Sequence, residues 1–245
     1  MTEAVFLGTG NFLAPGRYWN SFVLDGSILV EPCPTSLPHL RRCGIGAGDL
    51  EAIVISHFHP DHTFGWPFLL LELVDTARRD GAHPTYVLGP PGVEQYLREM
   101  NELGSIHNVQ ATAERDLDLR FIEVDGTEQQ AGALHFRAVE VDHVPYLRCF
   151  GYLIERHGRT IGYSGDTTLC AGLRELAGAS DVLVLECNGP HEDGAPVSHM
   201  DERSVQTLRA EYPDVPFVLT HMGDGLDLSG IDGLIIPEDF DRLEL

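Results

Sequence analysis

Four apolar, β-like runs of this chain each stop at a side chain able to bind a metal ion. Ala52-Ile-Val-Ile-Ser leads into His57, His135-Phe-Arg-Ala-Val-Glu-Val-Asp into His143, Thr160-Ile-Gly-Tyr-Ser-Gly into Asp166, and Pro216-Phe-Val-Leu-Thr into His221. Strands that end on ligands constrain the fold strongly, because rigid sheets then carry those side chains to one edge while the following loops shape a pocket. The densest cluster is His57-Phe-His59-Pro-Asp61-His62. Three imidazoles and a carboxylate so close together cannot all serve one tetrahedral ion without strain, but they can divide between two neighbouring ions. His57 and His59, on one side of an extended segment, are expected to serve a first ion with His143. Asp61 and His62 are expected to serve a second with His221, and Asp166 to bridge both. Imidazole and carboxylate donors without thiolate suit zinc, while manganese or iron also fits by ligand type. The expected cofactors are therefore two divalent metal ions.

Between these runs the chain alternates strand and helix signals. Asp25-Gly26 between residues 21–24 and 27–30 marks a hairpin. Further strands are expected at 4–7, 51–56, 85–88, 119–124, 134–141, 151–155, 160–163, 182–185 and 217–219, with a helical turn near 37–42. Helices are expected at 66–79, 93–102, 169–177 and 201–212. This order predicts an α/β protein with sheet layers covered by helices on the outside. No linker of Pro, Gly and Ser divides the chain, so residues 1–245 are read as one domain.

Charge narrows the partners. Sixteen basic residues stand against 38 acidic ones, a formal net charge of −22. That excess repels phosphate polymers and anionic membranes, so a nucleic-acid polymer is not the expected partner. Every basic residue is arginine, which rules out a phosphate-loop lysine, a Schiff-base lysine and a Ser-Lys nucleophile. Two divalent ions facing Asp61, Asp166 and a shared hydroxide leave the pocket itself about one unit positive, which favours a small anionic substrate. Met1-Thr-Glu-Ala runs directly into an apolar strand, and the longest apolar run, 66–71, is too short to cross a bilayer. A soluble cytoplasmic protein with no membrane partner is expected, as monomer or oligomer. The five cysteines form no Cys-x-x-Cys pair and read as buried small hydrophobes.

His57-Phe-His-Pro-Asp-His62 resembles the His-x-His-x-Asp-His signature of the metallo-β-lactamase superfamily. Gly8-Thr-Gly10, Leu29-Val-Glu-Pro, His143, Gly165-Asp-Thr167 and Leu219-Thr-His221 follow in that family's order. The resemblance implies a four-layer αββα sandwich with the metals between the sheet edges. Asp142-His143 followed by Gly151-Tyr152, Gly89-Pro before a helix, and Glu186 and His199 are most similar to the ribonuclease Z branch and its shorter phosphodiesterase relatives. One departure stands out. Ribonuclease Z carries a long tRNA-gripping arm between its third histidine motif and its bridging aspartate, whereas here His143 and Asp166 are joined by little more than a β-hairpin.

The activity this implies is hydrolysis of small phosphodiesters, with a metal-bridging hydroxide as nucleophile. Asp61, a ligand, is counted with Glu186 and His199 among the catalytic side chains. Glu186 ends the run Val182-Leu-Val-Leu, where a buried carboxylate requires a partner; His199 as imidazolium would be one, and could then protonate the leaving group. Arg148 and His191 are candidates for contact with the substrate anion. For Tyr18, Trp19, Phe64, Trp66 and Tyr146 packing in the core or rim is the expectation, and for His39 and His107 a surface or hydrogen-bonding role. Hydrolysis of a carboxylic ester, thiolester or lactone at the same metals, ribonuclease Z-type tRNA 3′ processing and a noncatalytic metal-binding module are the alternatives.

Overall fold

A computed structural model of the protein describes residues 1–190 and 198–245. The strands β1 (Glu3–Gly8), β2 (Ser21–Leu24), β3 (Ile28–Val30), β4 (Ala52–Val54), β5 (Pro84–Gly89) and β6 (Asp118–Glu123) lie side by side in that order in a first sheet. A second sheet runs in reverse chain order from β13 (Leu234–Ile235) through β12 (Phe217–Thr220), β11 (Val182–Glu186), β10 (Arg159–Tyr163), β9 (Cys149–Arg156) and β8 (Leu134–Val141) to β7 (Glu128–Ala131). The last strand, β14 (Arg242–Glu244), returns to the first sheet beside β1. Both sheets are mixed. The hairpin at Asp25-Gly26 forms as expected, with Asp25 and Gly26 both at positive φ and Leu24 paired to Ile28.

Alternation of side chains sorts the apolar residues into three layers. In β1, Ala4 and Phe6 face the other sheet, while Val5 and Leu7 face the outer helices. In β8, Leu134, Phe136 and Ala138 point inward and Val139 and Val141 outward. Strands buried on both faces read as continuous apolar runs, which makes them legible as strands without strict alternation. Helices α1 (Ser36–Arg42), α3 (Trp66–Asp80), α4 (Val93–Leu103) and α5 (His107–Asp116) cover the first sheet, contributing Leu40, Trp66, Leu69, Leu70, Leu73, Val93 and Leu97 to its outer core. Helices α6 (Ala171–Ala179) and α7 (Glu202–Glu211) cover the second sheet with Leu173, Leu176, Val205 and Leu208. The result is the αββα sandwich. A short helix, α2 (Pro60–Thr63), sits within the histidine-rich segment.

The sequence pattern does not reveal α5, β7, β13 or β14. Of these, α5 buries only Ala113 and β7 only Ala131, so neither carries an apolar periodicity to read. His107, expected in a loop, opens α5. His39, expected at the surface or hydrogen-bonded, is buried in α1 against the rings of Tyr18 and Phe240. Four of the five cysteines are buried and Cys43 is half-buried; none is disulfide-bonded. Among the described residues no helix is long and apolar enough to cross a membrane.

Candidate metal centre

The expected ligands meet where the two sheets share an edge. From β4 the chain continues through Ile55 and Ser56, whose carbonyls accept from Tyr152 Oη at 2.7 Å and from Phe150 N at 3.0 Å in β9. These cross-sheet bonds fix the segment that delivers His57. His59 remains extended, with φ −67° and ψ 148°, and Pro60 then opens α2. Proline suits a first helical position because its ring presets φ and its missing N–H has no partner to lose there. The switch from extended to helical chain at Pro60 turns Asp61 and His62 to a different station from His57 and His59. His143 follows β8, Asp166 follows β10 and His221 follows β12.

Two ligand sets result. Single donor atoms of His57, His59, His143 and Asp166 all lie within 4.8 Å of one another, as do those of Asp61, His62 and His221. Asp166 Oδ2 stands between the sets, 3.8 Å from His57 Nε2, 3.9 Å from His143 Nε2, 3.3 Å from His62 Nε2 and 3.6 Å from His221 Nε2. A third grouping, of Asp166 with His199 and His221, overlaps these two, and the arrangement is compatible with the division expected from the spacing.

Protonation supports the same use. Burial, reinforced by neighbouring imidazoles, holds His57 well below the ordinary histidine value and lowers His59 and His143, so their lone pairs are free to bind a cation. Burial alone would raise Asp166, but His221, His62 and His57 hold its carboxyl well below the usual range. Burial opposes a charge on His62, yet Asp166 and Glu31 push it well above the ordinary value, so unlike His57, His59 and His143 it must release a proton before it can bind a cation. His62 Nε2, His221 Nε2 and Asp166 Oδ1 are buried without a hydrogen-bond partner among the described residues. Such orphaned polar atoms are costly, and divalent cations held at the candidate groups would supply the partners they lack. The residues therefore fit a metal ion.

A surrounding shell holds the rings of His57, His143 and His221, while His62 Nδ1 makes no hydrogen bond among the described residues. His57 Nδ1 bonds Ser56 Oγ at 2.9 Å, His143 Nδ1 donates to Ser198 O at 2.6 Å, and His221 Nδ1 is 3.1 Å from Asn188 Nδ2. His62 Nδ1 is 3.6 Å from Glu31 Oε1. Contacts of this kind choose which ring nitrogen faces the metal. Glu31 is fully buried and accepts from Ser56 N at 3.1 Å and Tyr163 Oη at 3.0 Å. Its φ of 58° and the φ of 48° at His221 lie in the left-handed region that non-glycine residues seldom occupy, so both sides of the second ligand set are held in a strained backbone. Glu31 carries a sequence signal: like Glu186 it is a carboxylate ending an apolar run, Ile28-Leu-Val.

Glu186 and His199 form the expected pair. Glu186, the last residue of β11, is buried, and its carboxylate accepts from Thr167 N at 2.6 Å and contacts His199 Nδ1 at 3.0 Å. Burial raises the Glu186 carboxyl. Burial also opposes charge on His199, but Glu186, with Asp166 3.8 Å away, lifts that imidazole to about 9. With Nδ1 committed to Glu186, Nε2 is the nitrogen that can face a substrate.

The expected anion contacts fare differently. Arg148 is held by Glu140, at 2.8 Å and 3.1 Å, over the ring of Phe150, and so comes to the surface already paired. His191 lies outside the described residues. Two further side chains reach the site: Tyr146 Oη is 3.5 Å from His59 Nε2, and Asn11 Nδ2 is 3.1 Å from Asn188 Oδ1. Trp66 is core, as expected, whereas Trp19 and Phe64 line a cavity that also touches His59 and Asp61.

Fold and centre together define a hydrolase of the metallo-β-lactamase class with a side-chain set suited to divalent cations. A family model described as "Beta-lactamase superfamily domain" matches residues 27–222, and the chain belongs to that family. Among curated relatives, a ribonuclease Z of Mycolicibacterium paratuberculosis is 28% identical over 196 residues, covering 75% of this chain and 69% of that protein. Among solved structures, the metallo-β-lactamase fold protein YhfI from Bacillus subtilis superposes with a TM-score of 0.78 at 18% identity over 100% of both chains. A diphosphatase from the PhnP family superposes equally well, with a TM-score of 0.78 at 18% identity over 100% of this chain and 98% of that one. The resemblance read from the motifs is thus to the correct superfamily, and the curated relative is of the ribonuclease Z kind that the motifs resemble.

Proposed function

We propose that this protein hydrolyses small phosphodiesters using two divalent metal ions, zinc first among them, held by His57, His59, His143 and Asp166 on one side and by Asp61, His62, His221 and Asp166 on the other. The observation that carries this reading is the placement of Asp166 Oδ2 within 3.9 Å of a ligand nitrogen from each set, among orphaned buried atoms. Bound there, divalent ions lower the pKa of water and polarise a phosphoryl oxygen. The chain's own residues supply the rest. His199, kept protonated by Glu186, delivers a proton from Nε2 to the departing oxygen; Glu186 orients that ring and balances its charge; Asp61 holds its set in place at the mouth of the pocket.

The substrate is small. The arginines that would grip a polyanion are largely engaged with carboxylates, as in Arg41 with Glu72, Arg98 with Glu94, Arg137 with Glu175 and Arg174 with Glu211. The interval from His143 to Asp166 is filled by the β9–β10 hairpin, with Arg156 paired to Arg159 across its turn. The test is a metal-loaded screen across phosphodiesters, phosphomonoesters, thiolesters, lactones and a precursor tRNA. Turnover confined to phosphodiesters supports the reading; turnover confined to carbonyl substrates, or efficient tRNA 3′ processing, replaces it.

A further inference from the structure

Beside the candidate metal centre lies a cavity of about 450 Å³ lined by Phe12, Trp19, Pro34, Pro60 and Phe64 together with His59 and Asp61. That volume lies within the ordinary range of small-molecule pockets. Apart from the two candidate ligand residues its lining is apolar, and Phe12 and Phe64 remain about half exposed. Among the described residues no arginine lines it, so a second phosphate finds no counter-charge there.

The walls are set by backbone contacts rather than by loose loops. Gly8 and Gly10 let the chain of residues 8–19 fold back on itself: a Cβ on Gly8 would stand 2.1 Å from Trp19 O, and one on Gly10 2.6 Å from Arg17 Cβ. Gly10 bridges to Trp19 and to Met222, next to His221. On the opposite wall, a Cβ on Gly65 would stand 2.0 Å from Cys33 O, so the glycine is what allows Phe64 to approach Pro34. A cavity built this way is formed before ligand arrives, and an apolar ring entering it loses little to reorganisation.

Its position relative to His199 decides which part of a substrate it takes. The ring of His199 packs against His143 and His221, with centroids 4.6 Å and 5.5 Å away, and neither of those lines the cavity. The leaving group belongs at His199, so the cavity faces the ester group that stays on the phosphorus. We infer that this pocket selects substrates whose retained ester group carries a planar apolar ring, an aryl group or a base of similar size, seated between Phe12, Trp19 and Phe64. The inference rests on the hydrolase reading for its reacting centre.

The test compares p-nitrophenyl phenyl phosphate with methyl p-nitrophenyl phosphate, which share a leaving group and differ only in the retained ester. Burying a phenyl ring is expected to favour the first by about 10- to 100-fold in kcat/KM. In Phe64→Ala and Phe12→Ala the aryl-to-methyl ratio should fall towards one, while in Phe68→Ala, an exposed phenylalanine outside the cavity, it should not change. In parallel, phenylphosphonate and methylphosphonate are titrated by tryptophan emission. Turnover of both diesters with no aryl preference overturns the pocket inference and leaves the phosphodiesterase reading standing. No turnover of either diester, with tighter phenylphosphonate binding that Phe64→Ala abolishes, supports the pocket and overturns the phosphodiesterase reading. Neither turnover nor differential binding overturns both.

Discussion

The imidazole of His199 meets the carboxylate of Glu186 at 3.0 Å and 3.2 Å through a single nitrogen, Nδ1. The carboxylate is buried and also accepts from Thr167 N, so it has no freedom to follow a ring that rotates away. His199 is thereby fixed in orientation with its second nitrogen directed elsewhere, the condition for a proton donor that acts at one atom of one substrate.

Replacing His199 with alanine should leave metal content unchanged and lower turnover by about 10²- to 10⁴-fold on diesters with alkoxide leaving groups. Diesters that lose p-nitrophenolate, which departs without a proton, should be much less affected. Equal losses on both classes, measured by steady-state kinetics, would assign His199 to binding or structure.

The titration of His199 offers a second check. In the metal-free protein, with Glu186 outweighing burial, its pKa is raised to about 9. This lies above the value of about 6.5 for free imidazole. The sign follows: stability contributed by the ion pair is fully present below about pH 6.5 and is lost as pH rises through the folded value. Proton NMR of the His199 ring should show that titration, and Glu186→Gln should bring it down towards the free value. A titration that ignores Glu186→Gln would place the cause of the shift elsewhere.

Metal stoichiometry tests the centre directly. Protein reconstituted with zinc or manganese should hold about two ions per chain by elemental analysis, and chelation should abolish activity. His59→Ala and Asp166→Ala should each reduce the content, the latter more because it serves both sets. Absence of bound metal after reconstitution with excess zinc and manganese would be fatal to the proposed mechanism.

Glu31→Gln keeps an acceptor for Ser56 N and Tyr163 Oη but removes the charge facing His62 Nδ1. The fold should survive, by circular dichroism, while affinity for the ion at His62 and His221 weakens by about 10- to 100-fold. Calorimetric titration showing two sites of unaltered affinity would remove Glu31 from any role in positioning that ring.

Precursor tRNA should be processed negligibly at about 0.1 M salt, where surface repulsion is felt over about 10 Å. Site-specific removal of a 3′ trailer under that condition, seen on a gel, would promote the ribonuclease Z alternative.

Most of the candidate centre is legible in the amino-acid sequence, because side chains able to bind metal are chemically rare and here each of four terminates an apolar run that reads as a strand. His57, His143, Asp166 and His221 are identifiable on that ground alone, and the double set follows from the crowding of His57 to His62. What escapes a reading of the sequence depends on contacts between distant segments. Asn188 reaches His221 from the loop after β11, Asn11 meets Asn188 beside the bridge between Gly10 and Met222, and Ser198 reaches His143 through a backbone oxygen that no side-chain pattern can announce. Trp19 and Phe64 look like packing residues in sequence; only the close approaches permitted by Gly8 and Gly65 leave a cavity between them. Arg148 illustrates the converse, since its partner Glu140 lies across a strand pair and is invisible at the level of spacing.

The division of ligands between the sheets has a consequence for the order of events during folding. His57, His59, Asp61 and His62 hang from the end of β4 in the first sheet, whereas His143, Asp166 and His221 come from the second. Neither set is complete in either half, so no fragment and no nascent chain that has yet to release β12 offers the full second set. Pairings this distant in sequence close late, after the cost of ordering the intervening loops. On the proposed reading, ion capture would serve as a timestamp for the docking of the two sheets. Ions bound as proposed would act as rivets across the seam, and by mass action they would hold the joined state against reopening.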